Sequence, residues 1–315
     1  MSPALTILTI LGAVVLGLLL SRVPALGRLP ATNAFSAVRM SVLAAMVGAM
    51  GFRLGRTEEL INSAGTLGLA ALLFAAATLA GTLLVLSVVF ALRGTGSRSD
   101  VSPRNASPPV RWSAFLADPL LFLAMLAAGF LAGAFVPIFP GANGGDLITG
   151  LLYVLLLLVG MGLGTSGIRP EQILTHPDLL ILPLGAIVGS LAGGLLAGLA
   201  LNIRPGAAMS LASGFGWYSL SGVLLTKLDG PGLGAVSFLS NMLRESMGLV
   251  LIPFLARTRF PLLAIGAGGA TSMDVSLVIT SRALGEESIP LCLASGGLLS
   301  LMVPILVPVC YSLPF

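Results

Sequence analysis

Charged residues are scarce in this 315-residue chain: they make up 9% of it, whereas soluble globular chains carry about 25%. Hydrophobic residues account for 56% of the chain and the mean hydropathy is +1.04, which excludes an ordinary soluble domain. Short strands of alternating hydrophobicity, the pattern of a transmembrane barrel, are also missing from the sequence. The composition therefore predicts an all-α polytopic membrane protein in a lipid bilayer.

Cysteine and histidine are rare as well. Cys292 and Cys310 lie in the last apolar segment, where we expect small buried hydrophobes rather than a disulfide or a metal pair. The one histidine, His176, lies in a loop without neighbouring ligands. No ATP-binding loop occurs, so any energy for transport must come from a gradient or a partner. The net charge of +4 lies mostly in short loops. We therefore predict no cofactor, no metal and no nucleic-acid partner.

Apolar runs long enough to cross a bilayer recur along the chain. We predict segments at 4–20, 35–54, 64–92, 116–136, 147–166, 179–201, 207–227, 232–256, 261–281 and 289–312. A stretch rich in Arg, Ser, Gly and Pro, at 93–115, is predicted as an extramembrane linker. It separates N-terminal transmembrane helices at 1–92 from a transmembrane core at 116–315.

Basic residues cluster in alternate loops. Arg22 and Arg28 follow the first segment, and four further arginines follow the third. The positive-inside bias places these loops in the cytoplasm and both termini in the periplasm, although Arg257 and Arg259 argue against this orientation.

Two segments, 207–227 and 261–281, are interrupted by glycines, hydroxyls and a carboxylate. The candidate hinge glycines are Gly214, Gly216 and Gly222 in the first and Gly268 and Gly269 in the second. Hydrocarbon offers no water to an opened backbone, so such breaks persist only where they line a polar cavity or a packed site. Transporters build substrate sites from discontinuous helices of this kind. If both segments cross the membrane there are ten spans, and if both are re-entrant there are eight.

Glu245 lies in the middle of an apolar segment, where an ionised carboxylate costs about 2.5–3.5 kcal/mol on insertion scales. The adjacent Arg244 points to a different helix face and cannot simply neutralise it. A cationic ligand or a basic residue of another segment must therefore serve as its partner. Candidate residues are Arg39, Arg53 and Lys227. A buried ion pair between helices is the alternative, purely structural interpretation.

Hydroxyls and a carboxylate in the breaks are further candidate ligands. Asp274, Thr271 and Ser272 suit the N-cap of a helix restarting after the glycines, and a helix N-terminus can also hold a substrate carboxylate. The other break contributes Trp217, Tyr218, Ser219 and Ser221. Trp217 is either a cavity wall or an interfacial anchor.

A weak internal echo links Met46–Gly55 to Leu158–Gly167. Three segments separate the two copies, so they would run in opposite directions, as in an inverted-topology repeat. The alternative is that two glycine-rich apolar sequences resemble each other by chance.

Several motifs resemble the signature of the bacterial LysO-type lysine exporters. They are Ser213–Gly222 with Leu224–Thr226, Asn241 with Arg244 and Glu245, Ile252–Pro253, and Gly269–Asp274. The likeness is dense from about Ala207 to Leu277 and elsewhere is mainly a pattern of hydrophobic segments. It implies an inner-membrane exporter of L-lysine with an inverted-repeat fold of the cation–proton antiporter clan. It also implies that Glu245 is an acidic residue important to export. A second acidic residue of that family has no clean match here, where Glu58 and Glu59 lie nearby.

We therefore predict a secondary transporter that exports L-lysine and close cationic analogues from the bacterial cell by proton antiport with alternating access. Proton exchange removes the electrical cost of exporting a cation, which is about 2.3 kcal/mol per 100 mV. Glu245 is assigned to proton coupling and, with Asn241 and the polar residues of both breaks, to the substrate site. The oligomeric state is left open.

Two other classes of function deserve comparison. A sodium-coupled importer, or a transporter of another small solute, would suit the same hydroxyl-rich breaks. An intramembrane enzyme would need two facing carboxylates or a serine paired with a base, and the sequence shows neither. We therefore predict that the chain is not an enzyme.

Overall fold

A computed structural model describes residues 3–23, 26–56, 64–94, 112–135, 145–165 and 178–314. Within these ranges every regular element is helical, which confirms the predicted all-α class. The α-helices are α1 (Pro3–Leu20), α2 (Asn33–Gly55), α3 (Ala64–Arg93), α4 (Trp112–Phe135), α5 (Gly145–Gly164), α6 (Asp178–Ala200), α7 (Pro205–Ala212), α8 (Tyr218–Leu228), α9 (Pro231–Leu255), α10 (Leu263–Gly268), α11 (Leu277–Leu284) and α12 (Ile289–Tyr311). Short 3₁₀ turns occur at Leu29–Ala31, Gly269–Met273 and Glu286–Ser288.

Five helical stretches in the described part of the chain are long and apolar enough to cross a membrane. They are Asn33–Gly55, Gly65–Arg93, Leu179–Ala200, Pro231–Leu255 and Glu286–Tyr311. Three shorter apolar stretches belong to α1, α4 and α5: Leu8–Leu20, Leu120–Phe135 and Thr149–Gly162. The chain is thus a multi-pass membrane protein, as its hydropathy predicted.

Some predicted features lie outside the described residues. The helix α3 ends at Arg93 and α4 begins at Trp112, and most of the predicted linker falls between them. The same applies to His176, Glu58 and Glu59. The linker and the division of the chain into two transmembrane parts stay predictions.

Glycines bring three pairs of helices into backbone contact. A Cβ atom would lie 2.2 Å from a carbonyl oxygen of the partner helix if one were added to Gly17 (α1 against α5), Gly51 (α2 against α4) or Gly81 (α3 against α6). Small residues allow this approach between membrane helices, where packing and not hydrophobicity drives association. The high glycine content therefore serves close packing as well as helix interruption.

The three glycine-packed pairs have a regular order along the chain. In an inverted repeat of three segments, helices α1, α2 and α3 would correspond to α4, α5 and α6. Under this correspondence the pair α1–α5 matches the pair α4–α2, and the two helices of the pair α3–α6 match each other. The repeat itself stays a prediction.

Both segments predicted to be interrupted leave the α-helical path in the structure. In the first, α7 ends at Ala212 and α8 begins at Tyr218. In the second, α10 ends at Gly268, a 3₁₀ turn follows, and α11 begins only at Leu277. We call residues 213–217 the first break and residues 269–276 the second break. Both broken segments pack against α9 and α12, which position the breaks relative to each other. Whether there are eight or ten spans stays open.

Candidate functional site

The two breaks touch each other. The backbone N–H of Ala270 donates to the carbonyl oxygen of Phe215 at 3.0 Å. Gly269 has a φ of 59°, and an added Cβ there would lie 2.3 Å from the same oxygen. Only glycine allows this approach, because any side chain would collide with the main chain of the other break. We call this contact the crossing point.

Asn241 of α9 holds the first break in shape. Its Oδ1 accepts the N–H of Gly216 at 2.9 Å, and its Nδ2 donates to the carbonyl oxygens of Leu211 at 3.3 Å and Ser237 at 3.0 Å. The break needs this support because Gly216, at φ 94°, has left the helical ladder. A buried backbone N–H without an acceptor would be costly. Asn241 therefore orders the break and does not line the cavity beside it.

A cavity of about 470 Å³ adjoins the crossing point. This size lies within the range of about 300–1,000 Å³ that is typical of small-molecule sites. Six of the nine predicted substrate-site residues line it, namely Trp217, Tyr218, Ser219, Glu245, Thr271 and Asp274. They come from α8, α9 and the two breaks, so the structure brings the separate sequence motifs together around one space.

The cavity carries charge of both signs. Glu245 of α9 has only 3% of its surface exposed and lines the cavity. Asp274 and Arg39 of α2 also line the cavity, and they interact electrostatically with each other. Among the described lining residues these are the charged groups, two acids and one base. Such a space suits a ligand that carries ammonium groups together with a carboxylate.

Arg244 is the most deeply buried charged residue among those described, with 1% of its surface exposed. Its Nη2 donates to Thr82 Oγ1 of α3 at 3.4 Å, a long hydrogen bond. Its Nε and Nη1 have no hydrogen-bond partner in the described part of the chain. The guanidinium lies next to the crossing point, since an added Cβ on Gly269 would be 2.5 Å from Nη1. Glu245 lines the cavity, whereas Arg244 is not among the lining residues. This agrees with helix geometry, which places adjacent side chains on different faces.

Aromatic contacts hold the start of α8. The ring of Tyr218 packs edge-on against Phe122 at 5.8 Å and Phe238 at 5.3 Å between ring centroids. Trp217 is half-buried and lines the cavity, which favours its interpretation as a cavity wall over that of an interfacial anchor.

Like Asn241, the predicted substrate-site residues Ser221 and Ser272 do not line the cavity. Ser221 lies inside α8 and donates to the Tyr218 carbonyl at 3.4 Å, and Ser272 donates to the Cys292 carbonyl at 3.1 Å. The prediction that Gly222 is a hinge was wrong, because this residue also lies inside α8. An added Cβ there would lie 2.9 Å from the Phe238 side chain, so this glycine serves packing against α9.

The capping role expected for the second break was also wrong. Because α11 begins at Leu277, Asp274 is too early to be its N-cap. The Asp274 carboxylate accepts the N–H of Val275 at 2.6 Å, and the hydroxyl of Thr271 donates back to the Gly268 carbonyl at 2.9 Å. Asp274 is exposed, so its side chain is available at the cavity.

Sequence reasoning missed Arg244 and treated Arg39 only as a possible partner of Glu245. The signal was present for Arg244: an ionisable residue deep in an apolar segment is a candidate functional group whatever its sign. For Arg39, near the start of α2, the sequence carried no such signal, because a basic residue there also fits simple snorkelling.

The cavity is also lined by Pro30 and Ser36, next to the connection between α1 and α2, and by Thr165 after the end of α5. Ser36 and Thr165 are exposed. The cavity therefore extends towards the side of the protein on which the α1–α2 connection lies.

Known proteins resemble this chain over about half of its length or more. A family model described as lysine exporter LysO matches residues 123–311. Lysine exporter LysO of Escherichia coli (strain K12) is 42% identical over 156 residues, which cover 50% of this chain and 52% of that protein. A putative lysine exporter of Haemophilus influenzae is 33% identical over 172 residues, or 55% of this chain and 87% of that protein. The chain thus matches about half the length of the first relative. No solved structure matches the chain.

Proposed function

Because this chain belongs to the lysine exporter LysO family, we propose that it is a secondary transporter that exports L-lysine and close cationic analogues across the bacterial inner membrane. The single observation that carries the proposal is the position of Glu245. This buried carboxylate lines a cavity at the point where two broken segments meet. Intramembrane acids of this kind mark substrate and proton pathways.

Glu245 is proposed to hold either an ammonium group of lysine or a proton. An ionised carboxylate at membrane depth is costly unless a cation accompanies it, so binding of one cation favours release of the other. Loss of lysine to one side would leave Glu245 ready to accept a proton there. One proton entering for each lysine cation leaving moves no net charge. The exchange then avoids the cost of about 2.3 kcal/mol per 100 mV that uncoupled export would meet.

The start of α8 is proposed to attract the substrate carboxylate. The first N–H groups of an α-helix lack acceptors within the helix, and their partial positive charge favours an anion. Tyr218 and Ser219 open this 11-residue helix and line the cavity. The Tyr218 N–H already donates to the Gly216 carbonyl at 3.0 Å, so the Ser219 N–H is proposed to face the substrate. The hydroxyl of Ser219 adds a donor at the same wall.

The direction in which the cavity extends supports the proposal of alternating access. The α1–α2 connection carries the predicted cytoplasmic arginines Arg22 and Arg28. With that orientation, lysine would enter the cavity from the cytoplasm, as an exporter needs. We propose that release requires closure at Ser36 and Thr165 and an opening on the opposite side of the crossing point.

Counterflow of labelled lysine into proteoliposomes tests the proposal, with pH and Na⁺ gradients varied independently. We expect wild-type protein to exchange lysine and to respond to the pH gradient. The variant Glu245→Gln keeps the side-chain volume but cannot carry a proton or pair with an ammonium as a carboxylate, so we expect loss of proton-coupled efflux. Glu286→Gln is the matched control, because Glu286 lies exposed outside the cavity.

Each outcome points to a different correction. Full proton-coupled efflux by Glu245→Gln would show that this residue has another role. A response to Na⁺ in place of pH would favour the sodium-coupled alternative. Absence of lysine exchange by the wild type would mean that the substrate is another small solute.

A further inference from the structure

Arg244 carries a buried charge that the described protein leaves incompletely bonded. Two of its three guanidinium nitrogens, Nε and Nη1, have no hydrogen-bond partner there, and the third makes only the long bond to Thr82. Glu245, which lines the cavity, attracts Arg244 electrostatically. Buried charges are stable only when they are paired and hydrogen-bonded, so these two nitrogens call for an acceptor.

The guanidinium lies close to the cavity, with little standing between them. Gly216 lines the cavity, and an added Cβ on it would be 3.3 Å from Nη1. Gly269, on the other side of the crossing point, would bring its Cβ to 2.5 Å from the same nitrogen. Both residues lack a Cβ, so the only cover over Nη1 at these positions is main chain. A small shift of either break would expose the guanidinium to a ligand in the cavity.

From these contacts we propose that Arg244 binds the α-carboxylate of the transported amino acid through Nη1 and Nε, while Glu245 takes an ammonium group. This inference rests on the proposed function. Planar guanidinium groups bind carboxylates through two parallel hydrogen bonds, which a lysine side chain cannot reproduce. The adjacent residues 244 and 245 would then bind the carboxylate and one ammonium group of the same amino acid. A merely structural arginine would need protein acceptors at these two nitrogens, and the described residues supply none.

The inference predicts a specific preference for substrates with a carboxylate. We would measure how well unlabelled L-lysine, L-lysine amide and 1,5-diaminopentane compete in lysine counterflow. The diamine has both amines of lysine but no carboxylate, and the amide has a neutral group in its place. We expect wild-type protein to bind lysine about 10- to 100-fold more tightly than either analogue, the range for loss of a charged hydrogen bond.

The variant Arg244→Gln should remove this preference. Lysine should compete about 10- to 100-fold more weakly than in the wild type, and the diamine should compete as before. Arg244→Lys, which keeps the charge but not the paired donors, should be intermediate. Arg257→Gln removes an exposed arginine just beyond the same helix and should change neither value. Ligand-induced shifts of the unfolding midpoint in detergent give the same comparison for a variant that binds but does not transport.

The outcomes separate this inference from the proposed function. If the wild type does not recognise lysine, the proposed function fails and this inference fails with it. If the wild type recognises lysine but the diamine competes as well as unlabelled lysine does, no carboxylate site exists. Only this inference is then overturned, whether or not the variants fold. If Arg244→Gln weakens competition by lysine and by the diamine equally, Arg244 is structural and the inference is likewise overturned.

Discussion

Replacing Gly269 by alanine is expected to force the two breaks apart. Gly269 has φ 59° and ψ −133°, a combination that is essentially restricted to glycine. The new methyl group would lie 2.3 Å from the Phe215 carbonyl oxygen and 2.5 Å from Arg244 Nη1. Because that oxygen accepts the Ala270 N–H, the methyl group would break the crossing point itself.

The effect has two parts, and a second glycine separates them. A non-glycine residue in such a backbone conformation costs about 1–3 kcal/mol. Forcing extra atoms into a packed site costs about 1–3 kcal/mol more. Gly230 has φ 130° and ψ 179°, but an added Cβ there meets nothing within 4 Å. Gly230→Ala therefore carries only the first cost, and the difference between the variants measures the collision of the breaks.

Thermal unfolding in detergent can be followed with a thiol-reactive dye. Cys292 and Cys310 are buried free cysteines, which react when the protein unfolds. At about 2–4 °C for each kcal/mol, Gly269→Ala should unfold about 2–12 °C below Gly230→Ala. Lysine counterflow should be lost in Gly269→Ala and kept in Gly230→Ala.

Equal unfolding midpoints for the two variants would refute the reasoning. Such a result would mean that the carbonyl of Phe215 does not lie against Gly269 in the folded protein. The cavity would then need a different wall, and the position inferred for Arg244 would lose its basis.

Two other predictions follow from contacts at the site. Asn241→Ala should lower the unfolding midpoint through loss of the bonds to the first break, at about 1–3 kcal/mol for the groups left unsatisfied. Ser240→Ala removes only a hydroxyl bonded to the Ser237 carbonyl of the same helix, so a shift as large as that of Asn241→Ala would contradict the assigned role. Arg39→Glu should weaken lysine counterflow because it places two carboxylates, at residues 39 and 274, against each other in the cavity wall. Asp274→Arg should partly restore it, with a coupling of about 0.2–1 kcal/mol for an exposed pair. Independent effects of the two substitutions in this double-mutant cycle would show that residues 39 and 274 do not interact.

Much of the fold could be predicted because it depends on local properties of the chain. Hydropathy of each segment predicted the all-α membrane class, and the motifs around Glu245 predicted the family, and both predictions are confirmed. The glycine clusters marked the two places where the chain leaves the α-helical path. Each of these features depends only on the residues of one segment, about 20 residues long.

The errors concern the directions in which side chains point. Ser221 and Ser272 carry the same hydroxyl as Ser219, yet they donate to neighbouring carbonyls away from the cavity. Gly222 looked like the other glycines of its motif but packs inside α8. Composition cannot tell a glycine that opens a helix from one that lets two helices approach.

Residue types and their order along the chain were enough to predict a membrane protein with two interrupted segments and a buried acid. Solvation decides these properties, because each apolar or charged residue meets the bilayer with its own transfer free energy. The folded chain alone shows that Phe215 and Ala270 join the breaks, that Asn241 supports the first break, and that the Arg244 guanidinium lies next to both. Such contacts join residues far apart in the chain, and they arise from the packing of helix faces, which helical periodicity alone does not specify.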